Sequence, residues 1–382
     1  MKSFYIFSTG CLRTTPESQR VYDYFLANDF CYTNDPSVAD VLFMYTCGYI
    51  QQAEDESINF IEKLLADKRE NAQLVVAGCL PNINGERLQQ TGKFTIIKSG
   101  KLEELDNAID ARVEYNSIPI PLAGKEFLPD VNALNARTKG EREFTIRVSD
   151  GCMHNCAYCA IKFAKGHVKS IPLPQVVELM KECVNQGADI IYLSTEDLGC
   201  YGQDIKTTVV ELLTQLFAVP GNYKLKLHDF NAYWFLKYYE RLKPILVENC
   251  DRIHYLFVTV EGGSDNILKR MKRNYHIDDV RDAFCDLKAA IPELPLRCSM
   301  MVGFPGETEA DFQKTQEFIN TVTSFESTNV WLTPYCDRPH TAASEMSDKV
   351  EQATINRRYA ELTQIIGSVS RLTSAPTYVT ST

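Results

Sequence analysis

No stretch of this chain is apolar over the length that a membrane span needs, and after Met1 and Lys2 the first hydrophobic run is too short for a secretory signal. An export leader and a bilayer anchor are therefore not expected, and the chain reads as cytoplasmic with no membrane partner. Positive charge is in deficit too: 40 lysines and arginines face 50 acidic residues, for a net charge of −10. That balance disfavours nucleic acid as a partner, because binding a large polyanion leans on phosphate neutralisation. Histidine is scarce, and none of the 6 has metal-ligand spacing. Cysteine is the exception, with 13 residues. An odd, high count without an export signal points to metal or catalysis and away from a disulfide framework. With 382 residues, two domains are the natural division.

Three cysteines share one short segment, Cys152-Met153-His154-Asn155-Cys156-Ala157-Tyr158-Cys159. Thiolates are the soft ligands that iron–sulfur clusters require, and this spacing lets a single loop hold three irons of a [4Fe–4S] cube. The fourth iron is left without a protein ligand and open to another molecule. Core cysteines acting as small apolar side chains have no reason to cluster beside His154 and Asn155. His154 reads as a solvent-facing loop residue. Cys31, Cys183, Cys200, Cys250, Cys285, Cys298 and Cys336 fit no ligand spacing and read as ordinary thiols.

Upstream, an apolar β-rich run ends in a cysteine three times, over 4–11, 41–47 and 74–79, at Cys11, Cys47 and Cys79. Helical patterns over 17–28 and 53–69 separate them, so the order is βαβαβ and a parallel sheet is predicted. Such a sheet delivers every strand's carboxyl end to one edge, where the three cysteines would converge. Gly10 and Gly78 suit tight turns just before two of them. Further strands are predicted at 144–148, 189–193, 223–228, 254–260, 296–302 and 329–333, alternating with helical patterns. Six βα units predict a parallel barrel or sheet with its reactive groups at the strands' carboxyl ends. The predicted layout is an α/β domain at 1–117, a linker at 118–142, the barrel at 143–347, a helix at 348–371 and a tail at 372–382.

The cysteine loop with Tyr158, the upstream trio and four later motifs together resemble the radical S-adenosylmethionine (SAM) methylthiotransferases, which modify tRNA adenosines or an aspartate of a ribosomal protein. The later motifs are Glu196-Asp197 with Tyr201, Gly202 and Asp204; 260–265 with Met271 and Arg273; 301–309; and 334–343, so the likeness spans nearly the whole chain. It implies an α/β fold, an N-terminal parallel-sheet βαβ domain followed by a radical SAM partial (β/α)6 barrel. It also implies SAM and two [4Fe–4S] clusters, one on Cys152, Cys156 and Cys159, and an auxiliary, sulfide-bearing one on Cys11, Cys47 and Cys79. Tyr158, Glu196, Glu261, Gly262, Gly263 and Arg273 are the implied SAM contacts, and no side chain beyond the cluster ligands is implied as catalytic. The implied reaction cleaves SAM to a 5′-deoxyadenosyl radical, removes hydrogen from an unactivated carbon and inserts sulfur to give C–SCH3. An external one-electron donor such as flavodoxin or ferredoxin is the implied partner. Arg273 has a second reading, since with Lys269, Arg270 and Lys272 it ends a helical pattern whose cations suit the helix dipole and face water.

Departures from the family pattern bear on the substrate. The family's small β domain after the barrel has no room before Thr382, and its two glutamines are here Glu196 and Glu261. The basic stretch after the cysteine loop is reduced to Lys165 and Lys169, with Ile171 neutral. Together with the net charge, this points to a peptide or small molecule as substrate and not to tRNA. Phe230 and Asn231, in a strand-end loop, would face it, whereas Phe235, Tyr239 and Leu242 fall at helical spacing and read as core. Three alternatives stay open. One is a radical SAM oxidoreductase or crosslinking enzyme whose N-terminal cluster relays electrons or anchors substrate. The others are a tRNA or ribosomal-protein methylthiotransferase without the accessory domain, and a non-enzymatic iron–sulfur sensor.

Overall fold

A computed structural model describes residues 1–119, 123–124 and 141–369. Most of the expected linker at 118–142, and the expected tail at 372–382, lie outside them. Each N-terminal apolar run forms a strand, giving β1 (Ser3–Ser8), β3 (Val41–Thr46) and β4 (Gln73–Gly78), with two-residue strands β2 (Cys31–Tyr32) and β5 (Thr95–Ile96) at the edges. The order is β2-β1-β3-β4-β5, and every pairing is parallel. All six residues of β3 are buried because helices cover both faces. Phe43 and Tyr45 pack with Val21, Tyr24 and Phe25 of helix Thr15–Ala27, and Leu42 and Met44 with Ile58, Ile61 and Leu64 of helix Gln51–Asp67. The strand order reverses between β1 and β3, which opens a crevice at their carboxyl ends.

The second sheet holds β6 (Ala123–Gly124), β7 (Glu143–Arg147), β10 (Ile190–Ser194), β11 (Lys224–Asn231), β12 (Ile253–Glu261), β13 (Leu296–Val302) and β14 (Thr328–Pro334), in that order. Only β6 is antiparallel, so the chain is the mixed α/β protein that the motif order predicts. The six expected barrel strands all form, with ends displaced by a residue or so, except that β11 runs on to Asn231. It does so through an irregularity after Leu227, where Asp229 takes a φ of 56°. A short antiparallel pair, β8 (Ser149–Asp150) with β9 (Lys169–Ser170), closes the base of the cysteine loop. Among the described residues, no helix is long and apolar enough to cross a membrane.

Candidate functional site

The Cys152 loop is shaped by main-chain constraints before any ligand arrives. Gly151 opens it with a φ of 74°, and a Cβ there would lie 2.2 Å from the His167 carbonyl oxygen. Glu196 Oε2 accepts the Gly151 N–H at 2.6 Å, and Gly166 O accepts the Cys152 N–H at 3.1 Å. Ala157 donates its N–H to Met271 O at 2.9 Å and accepts from the Ala343 N–H at 2.8 Å. Cys156 is buried, Cys152 and Cys159 are half-buried, and all three are free thiols. Burial pushes the Cys159 thiol up to about 11, with Cys156 and Cys152 as further negative neighbours. Burial also raises Cys156, against the opposing pull of Arg273. Thiolates withdrawn from water and crowded together need a cation, so this donor set fits an iron–sulfur cluster.

Cys11, Cys47 and Cys79 follow β1, β3 and β4, three adjacent strands, around the crevice. Gly78 has a φ of 106°, and a Cβ there would sit 2.4 Å from Thr46 O, so the turn into Cys79 needs glycine. The trio grades from exposed Cys11 through half-buried Cys47 to buried Cys79. Burial pushes Cys47 up to about 11, with Cys11 adding to it, and burial raises Cys79 further, with Lys165 opposing and Cys11 and Cys47 adding. These free thiols also fit a cluster by donor chemistry. Cys79 packs against Ala160 and Ala164, which cap and belong to the short helix Ile161–Lys165 leaving the Cys152 loop, so one cysteine of the first trio borders, across the seam between the sheets, the element that follows the second.

Charge fixes that seam. Arg147 of β7 donates to Glu17 Oε1 at 2.6 Å and meets Asp150 at the same distance, Lys165 lies 3.6 Å from Glu17 Oε2, and Tyr45 OH donates to Glu17 Oε2 at 2.8 Å. Burial works to raise the Glu17 carboxyl, but Arg147 and Lys165 outweigh it and hold it far below the carboxylate range. Arg13 Nε donates to Asp229 Oδ2 at 3.0 Å, and Arg338 pairs with Glu54 in full burial. Of these residues only Lys165 stands out in the sequence, as part of a reduced basic stretch. Glu17 looks like an ordinary first-turn acid, and Arg13 has no local partner to flag it.

The expected SAM contacts divide. Tyr158 is half-buried beside Ile267, Met301 and Ala343. Arg273 is buried, not water-facing: its Nη1 reaches Cys156 Sγ at 3.5 Å and its Nε donates to Tyr275 OH at 2.9 Å. Glu196 holds Gly151, as above. Glu261 has a φ of 73°, and its Oε1 accepts the Ser299 hydroxyl at 2.6 Å. Gly263 is explained by packing, since a Cβ there would lie 2.3 Å from Thr315 Cα, and the nearest atoms to a Cβ at Gly262 belong to Leu268 and Ile267. Phe230 and Asn231 lie within β11 and are buried, not in an open strand-end loop. The longer β11 carries Phe230 into the core at 1% exposure, and Asn231 caps the next helix by accepting the Tyr233 N–H at 3.0 Å. Phe235, Tyr239 and Leu242 are buried as core residues. His154 also departs from expectation. It packs edge-on against Tyr233 and Trp234, and burial pushes it down to about 4, with Arg273 adding to the effect.

Comparison with known proteins matches these features. Residues 146–319 match the radical SAM superfamily, and residues 3–98 match the uncharacterized protein family UPF0004. The ribosomal protein uS12 methylthiotransferase RimO of Chlamydia abortus is 26% identical over 367 residues, covering 94% of this chain and 77% of that protein. The threonylcarbamoyladenosine tRNA methylthiotransferase of Homo sapiens is 27% identical, covering 97% of this chain and 63% of that protein. Among solved structures, the radical SAM methyltransferase TsrM from Kitasatospora setae shares the fold at a TM-score of 0.61 and 14% identity, covering 90% of this chain and 77% of that one. With the cysteine loop, its barrel and the N-terminal domain all matched, the chain belongs to the radical SAM methylthiotransferase family, whose transferases use SAM and a [4Fe–4S] cluster.

Proposed function

We propose that the protein converts an unactivated C–H bond to C–SCH3 on a peptide or small substrate. In this reading Cys152, Cys156 and Cys159 hold the SAM-binding cluster, and Cys11, Cys47 and Cys79 hold a second cluster that bears the sulfur. The observation that carries it is the packing of Cys79 on the helix that follows Cys159. When bound, SAM and the reduced cluster supply a carbon radical able to take hydrogen from an unactivated carbon, and the second cluster supplies sulfur. The chain's own part is placement and exclusion of water. Glu196 holds the loop entrance through Gly151, Arg273 offsets negative charge beside Cys156, and Tyr158 offers an aromatic face to SAM. The Glu17 network keeps the two trios in register, and Arg13 with Asp229 lines the gap between them. A net charge of −10 supports a substrate that is not a polyanion. A second reading rests on the named relatives: a ribosomal protein or tRNA as substrate.

The test is anaerobic. Protein reconstituted with iron and sulfide is given SAM and dithionite, and 5′-deoxyadenosine and S-adenosylhomocysteine are measured by mass spectrometry. Wild type should make both, and a Cys11→Ala/Cys47→Ala/Cys79→Ala variant should still make deoxyadenosine but lose methyl transfer. Deoxyadenosine without the homocysteine product would point to an oxidoreductase or crosslinking enzyme, and neither product from cluster-loaded protein would refute an enzyme. Parallel incubations with a peptide pool, ribosomal protein uS12 and tRNA then assign the substrate by a gain of SCH3.

A further inference from the structure

One set of metal donors lies outside the two trios as sets, although it borrows a cysteine from one of them. Cys200 closes the short turn Leu198–Cys200 behind β10 and is fully buried. Its Sγ, the Sγ of Cys152 and a carboxylate oxygen of Asp197 lie within 4.8 Å of one another. Asp197 is oriented for them. Its Oδ1 accepts the N–H groups of Gly199 at 3.0 Å and Asn231 at 3.1 Å, while its Oδ2 faces Cys152 Sγ at 3.8 Å and His154 Nε2 at 3.5 Å. Tyr233 and Trp234 fix the His154 ring, whose Nε2 is buried without a hydrogen-bond partner among the described residues. Two sulfurs and an oxygen therefore converge, and the His154 nitrogen stands beside that oxygen as the nearest further donor.

The spacing suits one ion. Tetrahedral zinc, with bonds of about 2.0 Å to nitrogen and oxygen and about 2.3 Å to sulfur, keeps its ligands roughly 3.3–3.8 Å apart. The Asp197–His154 and Asp197–Cys152 separations, 3.5 Å and 3.8 Å, already match such edges. Backbone N–H groups that pin the far carboxylate oxygen are the outer-shell support that a metal-ligating carboxylate needs. We propose that Cys152, His154, Asp197 and Cys200 bind a single divalent ion of the zinc or ferrous class when the cluster is absent, and that this ion and the cluster exclude each other by sharing Cys152. Zinc ranks above ferrous iron for such a site, so zinc is the ion that blocks cluster assembly. The mutual exclusion rests on Cys152 being a cluster ligand; ion binding itself does not.

Cobalt(II) is the probe, in metal-free protein carrying Cys11→Ala/Cys47→Ala/Cys79→Ala. It should bind one ion per chain with thiolate-to-cobalt charge transfer and tetrahedral d–d bands, zinc should displace it, and prior zinc should slow iron uptake. Adding Cys200→Ala should weaken cobalt binding at least tenfold, since loss of even an outer-shell partner costs about 10–100-fold, and leave [4Fe–4S] assembly intact. Unchanged binding in Cys200→Ala, loss of binding in Cys156→Ala/Cys159→Ala, or no binding by folded protein would each overturn the site. Should Cys200→Ala misfold by circular dichroism, Asp197→Asn carries the same comparison. Cobalt binding in protein that never assembles a cluster would count against the cluster assignment and leave the mononuclear site standing.

Discussion

Glu17 offers the sharpest test of how the two sheets are held together. It is 14% exposed and faces Arg147, 9% exposed, and Lys165, 8% exposed. Glu17→Gln keeps one oxygen, for Tyr45 or for Arg147, and leaves two buried cations sharing Asp150, which is 34% exposed and lies 2.6 Å from Arg147 and 3.9 Å from Lys165. Breaking a buried pair by removing one partner costs about 3–5 kcal/mol, and the surviving carboxylate places this case near the lower end. A loss of about 3 kcal/mol is roughly a hundredfold in the folding equilibrium. The assay is denaturant unfolding of metal-free protein at neutral pH, followed by circular dichroism. Glu361→Gln is the control, because its pair with Arg357 is exposed on both sides and should be worth under about 0.5 kcal/mol. Lys165→Met on top of Glu17→Gln should recover part of the loss by restoring charge balance. The sign with pH is also fixed. A carboxyl whose folded value lies below its ordinary 4.5 stabilises fully above that value, and the benefit fades as pH falls toward the folded value. Wild type and Glu17→Gln should therefore converge in acid. Equal losses for Glu17→Gln and Glu361→Gln at neutral pH would refute the account.

The Glu54–Arg338 pair should be lopsided. Arg338→Ala leaves Glu54 with Arg87 at 2.7 Å and Asn84 at 2.8 Å, whereas Glu54→Ala strands a buried guanidinium, so unfolding midpoints should fall further for Glu54→Ala by about 1–2 kcal/mol. Gly151→Ala sets a Cβ against His167 O in a left-handed turn, strain of about 1–3 kcal/mol before the clash is counted. Iron per chain after reconstitution should drop by roughly half, with the N-terminal share retained. Glu196→Gln keeps the acceptor for the Gly151 N–H and should change stability by under about 1 kcal/mol, while Glu196→Ala leaves that donor unmet at about 1–3 kcal/mol, both read from denaturant midpoints.

Much of the fold is legible in local pattern. Long apolar runs ending at Cys11, Cys47 and Cys79 become strands, and the six later runs become the barrel, because burial on both faces forces a continuous hydrophobic stretch. Two-residue strands such as β2 and β5 leave no period to read. The cysteine loop is legible because its three ligands lie within one turn of chain. Arg13–Asp229 and Glu17–Arg147 join residues far apart in sequence, and no local signal announces such a pair. Phe230 reads as a loop residue because the predicted strand stops at His228, but the irregular backbone at Asp229 lets β11 continue and turns the ring into the core. Glu196 and Glu261 read as new anions in a pocket. Each instead accepts a neutral donor, Gly151 N–H or Ser299 hydroxyl, a task that an amide oxygen does equally well.

The two hydrogen bonds on Ala157 use only main-chain atoms. What the Cys152 loop needs from positions 271 and 343 is the path of the chain, not the identity of either side chain. The side chains there are nonetheless fully buried beside Ala157, so substitutions that keep their volume are the tolerated ones, while an insertion or deletion near either position displaces the loop directly. Tolerance to volume-conserving substitution with intolerance to indels is therefore the expected mutational signature of both segments, even though each lies more than a hundred residues from the cysteines that it steadies.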